Sequence, residues 1–340
     1  MKKALIASTA LVLTAGVAAA DVTISGYGRT GIIYTENTDA QDALGVNETQ
    51  VISRLRMNLD AATSSEQGVD FGARFRLQWD QNNNTRGNQG QLNAGKLYVT
   101  SSGLTVEVGN VDTAFDSVNL LYGSELGSYD RDLVRRGTFF AYDSDRLSSL
   151  SATGISDVDG DGDVDGDDVE ELSTYNGFAV TYAVEGLEVR ASYVDPDQSG
   201  LLADDEELGF SVDYTWNERL ELAAAYVMDG GSIEDNDIFF IGARYAVMEN
   251  ARIGLNYLNA SNDSAADVGD TITLYGDYTL ADGLTNIEAY VANNNDDDNE
   301  TDNAFGLGVN YDLGGARLGA SIQRGNDERV TADMGVRFDF

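Results

Sequence analysis

Twelve residues near the middle of the chain, Asp157-Val-Asp-Gly-Asp-Gly-Asp-Val-Asp-Gly-Asp-Asp168, gather oxygen ligands at regular intervals. Carboxylates stand at positions 1, 3 and 5, a glycine at 6 and an apolar residue at 8. That is the spacing of a calcium loop, in which alternate side chains converge on one ion and the glycine permits the tight turn. Asp157, Asp159 and Asp161 would ligate through their side chains and Asp163 through its main-chain carbonyl. Asp165 would ligate directly or through water, and Asp168 takes the place of the usual closing Glu. Registers starting at Asp159 or Asp161 fail: the first sets Val164 at the glycine position, the second sets Leu172 at the last ligand. Unneutralised, so many carboxylates repel by something on the order of several kcal/mol. The competing reading is a solvated acidic tract; the ordered positions favour calcium.

Catalytic chemistry is poorly supplied. The chain has no His and no Cys, which removes the usual general base, the commonest zinc ligand, thiolate metal sites and disulfides. Its 58 acidic residues against 21 basic ones give a net charge of −37, a surface that repels nucleic acid, so none is expected as a partner. With 42% hydrophobic residues and 17 Tyr, disorder is not expected. No catalytic residue is assigned.

The elements that position these groups follow from periodicity. Residues 1–20 start basic at Lys2 and Lys3, continue apolar to Val17 and end in Ala18-Ala-Ala20, the layout of a secretory signal peptide cut before Asp21. Beyond it no apolar run reaches the roughly 18 residues of a spanning helix. Instead, segments of about ten residues alternate with period two, the period and length of transmembrane strands. Sixteen such segments start at Val22, Thr49, Asp70, Asn93, Leu104, Tyr175, Leu187, Glu207, Arg219, Asp237, Ala251, Asp270, Leu284, Asp302, Ala316 and Val330. Seven connections are short: 63–68, 102–103, 185–186, 217–218, 249–250, 281–283 and 313–315. The eight between them are mostly long and polar, the longest running from Thr113 to Ser173. An all-β, sixteen-stranded antiparallel transmembrane barrel over 21–340 explains an even strand count with turns on one side and loops on the other. The single proline, Pro196, suits a chain of paired strands. Tyr34, Trp79, Trp216, Tyr226, Tyr257 and Tyr311 fall near strand ends, where aromatic girdles sit.

Alternation also assigns a face to the basic residues. Arg29, Arg54, Arg56, Arg74, Arg76, Lys96, Arg317 and Arg337 fall on the polar face of six segments that become neighbours once the last strand pairs with the first. They form one basic stripe on the inner wall. Opposite it, the third loop (113–173) offers Glu125, Asp130, Asp132, Asp143 and Asp145, together with Arg131, Arg135 and Arg136. Two facing sets of opposite charge would set a transverse field that orients dipolar solutes. The plainer alternative is a solvated wall neutralised by counter-ions.

Several stretches resemble one family, the trimeric general porins of alphaproteobacterial outer membranes. They are Asp21-Val-Thr-Ile-Ser-Gly-Tyr-Gly-Arg29, Ser53-Arg-Leu-Arg-Met-Asn-Leu59, Gly68-Val-Asp-Phe-Gly-Ala-Arg-Phe-Arg76, Gly95-Lys-Leu-Tyr-Val99, Val106-Glu-Val-Gly-Asn110, Leu121-Tyr-Gly123 and Ala332-Asp-Met-Gly-Val-Arg-Phe-Asp-Phe340. The resemblance implies sixteen strands, a homotrimer, both termini on the periplasmic side and a third loop folded into the lumen as a constriction. It implies a passive, water-filled channel for ions and small hydrophilic solutes in the outer membrane of a Gram-negative bacterium. Partners would then be outer-membrane lipid and lipopolysaccharide. The terminal Phe340 looks like the signal read by the outer-membrane assembly machinery. The acidic insert Ile155–Leu172 is richer in Asp than the family pattern. Two rival readings are a substrate-specific outer-membrane channel and an exported soluble calcium-binding β-protein.

Overall fold

The computed structural model describes residues 21–81, 91–92, 95–121, 176–195, 206–232, 234–260, 269–297 and 299–340. The chain runs up and down through β1 (Asp21–Thr35), β2 (Thr49–Ser64), β3 (Asp70–Asp80), β4 (Lys96–Ser101, preceded by the paired piece Gln91–Leu92) and β5 (Leu104–Gly109). After the third loop come β6 (Asn176–Val184), β7 (Leu187–Asp195), β8 (Glu207–Trp216), β9 (Leu220–Met228), β10 (Ile238–Met248) and β11 (Ala251–Asn259). The last five are β12 (Asp270–Thr279), β13 (Thr285–Asn294), β14 (Asn303–Asp312), β15 (Arg317–Arg324) and β16 (Val330–Asp339). Each strand pairs antiparallel with the next, and β16 pairs with β1 from Thr35↔Thr331 to Tyr27↔Asp339, so the sheet closes. Closure leaves no unpaired edge, which a sheet in hydrocarbon requires.

The short connections are tight because their backbones take the left-handed region. Ser102 and Gly103 have φ of 52° and 82°, Glu185 and Gly186 35° and 78°, Asn217 and Glu218 52° and 57°. Positive φ at both central residues is the type I′ geometry whose twist matches that of the flanking strands. Several boundaries differ from the sequence reading, seven strand starts by a single residue and the start of the third loop by three, at 110 rather than 113. The first turn spans 65–69 rather than 63–68, because Thr63 and Ser64 still pair with Phe71 and Asp70. The fourth strand is paired at Gln91–Leu92 and again from Lys96 rather than continuously from Asn93. The first loop carries one short helix, Asp39–Ala43.

Alternation sorts the two faces. On β2, Val51, Leu55 and Leu59 are exposed and point outward, while Arg54, Arg56, Asn58 and Asp60 point inward. The same holds on β8 for outward Phe210, Val212, Tyr214 and Trp216 against inward Glu207, Ser211 and Asp213. An exterior of exposed Leu, Ile, Val and Phe around a polar interior inverts the arrangement of a water-soluble protein and matches a lipid-facing barrel. Trp79, Trp216, Tyr226 and Tyr311 are exposed at strand ends, with Tyr34 and Tyr257 half-buried there. At the loop end, hydroxyls donate to carboxylates, Tyr226 to Asp237 at 2.6 Å and Tyr257 to Asp270 at 3.2 Å.

Candidate functional site

The inner wall has two unlike arcs. The first, β15–β16–β1–β2–β3–β4, carries all eight basic residues singled out in the sequence, on inward positions. Register sharpens their arrangement. Arg317 faces Arg337, Arg337 faces Arg29, and Arg29 faces Arg54, so four arginines on four strands stand in one row. Register partners sit about 4.5–5.5 Å apart at Cα.

Tyr27 lies among these groups. Its ring has the Arg337 guanidinium carbon 4.4 Å and the Arg56 guanidinium carbon 5.4 Å from its centroid, and Arg54 hydrogen-bonds its hydroxyl. Cation–π contacts of this kind hold guanidinium groups flat without cancelling their charge. Arg337 also donates to Asp339 at 2.9 Å, and Arg56 Nε to Gln78 Oε1 at 2.6 Å. Further along the arc, Arg74 is paired with Asp60 at 2.6 Å, and Arg76 Nε donates to Asn58 at 3.3 Å.

Lys96 belongs to a different construction. Its Nζ lies 2.8 Å from Glu107 Oε1 and 3.2 Å from Asp112 Oδ2, and Arg190 holds the other Glu107 oxygen at 2.6 Å. Lys96, Glu107 and Arg190 are all buried. Arg190 also donates to Thr181 Oγ1 at 2.8 Å and to the Asp112 carbonyl at 2.5 Å. Burial is the largest single influence on the Asp112 carboxyl and pushes it up. The charges of Lys96, Arg76 and Arg190 together outweigh it and hold the group below the usual carboxylate range. This network ties the start of the third loop to the wall.

The second arc runs from β7 to β14, and the described start of that loop lies against its β7 to β11 part. The loop's first residues, Val111–Leu121, run along the inward face. Ala114 N donates to Ser192 Oγ at 2.8 Å, Asn119 N to Asp213 Oδ1 at 3.1 Å, and Asn256 Nδ2 to the Leu120 carbonyl at 2.7 Å. Those partners step from β7 to β8 to β11, so the segment crosses the wall. Phe115, Val118, Leu120 and Leu121 are buried in one cluster with Ala223, Ala225 and Val227 of β9 and Ile238 and Phe240 of β10. Gly209 of β8 keeps the approach open: a Cβ there would come within 3.3 Å of Ala114 Cβ and 2.9 Å of Ser192 Oγ.

Glu125, Asp130, Asp132, Asp143 and Asp145 lie outside the described residues, as do Asp157, Asp159, Asp161, Asp163, Asp165 and Asp168 and the first twenty residues. Phe340 is described: it exchanges backbone hydrogen bonds with Gly26 at 2.8 and 2.9 Å, and its ring is half-exposed, 6.3 Å from that of Phe338. The sequence reading missed Glu107, Arg190, Asp213 and Asn256. A signal for the packed arc was present in Leu222–Val227 and Ile238–Ile241, where both alternating faces are apolar and both must therefore be covered.

An up-and-down barrel, apolar outside and charged within, is a membrane pore. A sequence model described as Gram-negative porin matches residues 7–329, and the chain belongs to that family. It is 40% identical over 326 residues to a porin of Fuscovulum blasticum, covering 94% of this chain and all of the relative. It is similar to the solved structure of a mutant Rh. blastica porin at 38% identity and TM-score 0.76. It is likewise similar to a triple mutant of the Rhodopseudomonas blastica porin at 36% identity and TM-score 0.75. Each solved structure is covered completely, by 94% of this chain. The protein is thus a non-enzymatic outer-membrane channel of the general diffusion type, from a Gram-negative lineage.

Proposed function

We propose that ions and small hydrophilic solutes cross this barrel passively through a cross-section bounded by the basic arc on one side and the third loop on the other. The observation that carries the reading is the division of the inner wall: guanidinium groups line one arc, and Val111–Leu121 lies against the other. The rest of the loop, with Glu125, Asp130, Asp132, Asp143 and Asp145, would supply the negative side of a transverse field. Planar-bilayer conductance tests this. Conductance proportional to salt concentration and a reversal potential under a salt gradient are expected; a chain that inserts without forming ohmic channels overturns it.

A homotrimer is part of the reading. The outward face of β1 and β2 carries Gly26, Gly28, Thr30 and Ser53, with the Thr30 and Ser53 hydroxyls 2.9 Å apart. A small, hydroxylated patch on an otherwise aliphatic wall supports coverage there by another subunit. Bands that run as trimer unheated and monomer after boiling would test it. Recognition of Phe340 by the assembly machinery is supported by its place at the closing seam. Calcium binding by Asp157, Asp159, Asp161, Asp163, Asp165 and Asp168 rests on their spacing. Calorimetry at millimolar calcium should detect it, and the Asp161→Asn, Asp168→Asn double variant should abolish it.

A further inference from the structure

The row Arg317–Arg337–Arg29–Arg54 is not level with the membrane. Arg317 opens β15 beside a short turn, Arg337 lies three residues from the chain end, Arg29 is midway up β1, and Arg54 sits toward the loop end of β2. A row of register partners runs perpendicular to its strands, and the strands of a barrel are tilted, so the row climbs the wall. With strands about 4.8 Å apart, its four positions extend over about 15 Å. Asp312 stands opposite Arg317 in register, and Asp339 pairs with Arg337 at 2.9 Å, so an incoming anion competes with these carboxylates for the guanidinium groups. Tyr27 gathers Arg54, Arg56 and Arg337 about a single ring.

From this juxtaposition of in-register arginines around Tyr27 we propose that the wall is a binding track for multivalent phosphate-bearing anions, which step from one guanidinium to the next between the two mouths of the pore. The proposal rests on the channel reading and narrows it to a preferred class of solute within a general pore. Like charges directly opposite one another across strands are unfavourable, and the ligand that relieves them best carries two or more negative charges and oxygens on several sides. Phosphate groups do both, and the guanidinium fork offers paired N–H donors that match two of their oxygens. Chloride has one charge and no such geometry. Because each row position has a neighbour, release from one site is assisted by the next, so binding does not block transport.

The test adds inorganic diphosphate to symmetric potassium chloride in planar bilayers containing the full-length channel. Conductance should fall along a saturating curve as the anion occupies the row. Losing one charge-assisted partner should raise the half-saturating concentration roughly tenfold in Arg29→Gln and in Arg337→Gln. Arg29→Lys keeps the charge but not the fork and should fall between. Arg252→Gln removes an equal charge from the opposite wall, where Arg252 is paired with Asp277 at 2.8 Å, and should leave the curve in place. A conductance that merely follows the conductivity of the solution overturns the track. An equal shift in Arg252→Gln overturns it too, since lumen charge in general would then be responsible. A chain that forms no channel in chloride alone fails the porin reading, a result distinct from either.

Discussion

The two arcs of the inner wall use the same strand geometry for opposite ends. On β16, β1 and β2, inward positions hold Arg337, Arg29, Arg54 and Arg56, and these face the lumen. On β9 and β10 they hold Ala223, Ala225, Val227, Ile238 and Phe240, and a loop segment lies on them. The packed arc is apolar where Phe115, Val118 and Leu121 keep water away; on the basic arc no loop segment of that kind lies among the described residues, and its inward face is mostly charged. A barrel interior is therefore not one environment. Lys96 marks the border: it continues the basic arc by sequence position, yet it is buried against Glu107 and Asp112. It fastens the loop rather than charging the pore.

The largest expected effect concerns what holds the basic arc together, the ladder of backbone bonds that closes β16 onto β1. Deleting Phe340, which exchanges two backbone hydrogen bonds with Gly26, should prevent heat-modifiable oligomer from accumulating in the outer membrane; normal accumulation would show that the seam tolerates a missing rung. At the border, Glu107→Ala leaves Lys96 and Arg190 buried without their shared carboxylate. Breaking one partner from such a group costs about 3–5 kcal/mol, visible as a lower melting transition together with noisier open-channel current. If current noise stays at the wild-type level, the loop is held by its apolar contacts and not by this network.

Neutralising Arg54, Arg56, Arg74 and Arg76 should shift the reversal potential under a salt gradient toward cation preference, since the wall loses positive charge while the acids remain. The comparison predicts less from neutralising Arg244, which is already paired with Glu221 at 2.5 Å; equal shifts would erase the distinction between the arcs. The smallest effect is acid release of the loop. Asp112 has a folded carboxyl below its ordinary range. Its contribution is fully present above the unfolded value of about 3.9 and is lost as pH falls through the lower folded one. Its side chain is 42% exposed, so solvent screens the gain. Current noise should rise only below about pH 4, and Asp112→Asn should show that noise at every pH.

Much of this architecture was legible because a strand between lipid and water must alternate. Segment starts at Thr49, Asp70, Leu104, Leu187, Glu207, Ala251, Asp270 and Val330 coincide with strand starts. The fourth strand was harder, since pairing there is interrupted between Leu92 and Lys96. The inward parity of Arg29 or Arg337 needed only counting by twos. Their standing in one row did not follow from parity, because it depends on the stagger between strands far apart in sequence. The Lys96–Glu107–Arg190 network was hidden for the same reason: its members come from β4, β5 and β7, and a 66-residue connection (110–175) lies between Glu107 and Arg190.

The closing pair Gly26 and Phe340 also sets a clock. These residues stand 314 positions apart in sequence, and the entropy of closing a loop must be spent before such a contact returns anything. Strands joined by short turns, such as β2 with β3 or β10 with β11, can pair among near neighbours, but β1 keeps one edge open until β16 reaches it. Until then both seam strands are templates for pairing with other chains. The time the barrel spends vulnerable to aggregation is thus governed by its longest-range contact, and shielding the β1 edge during that interval should raise yield more than stabilising any hairpin.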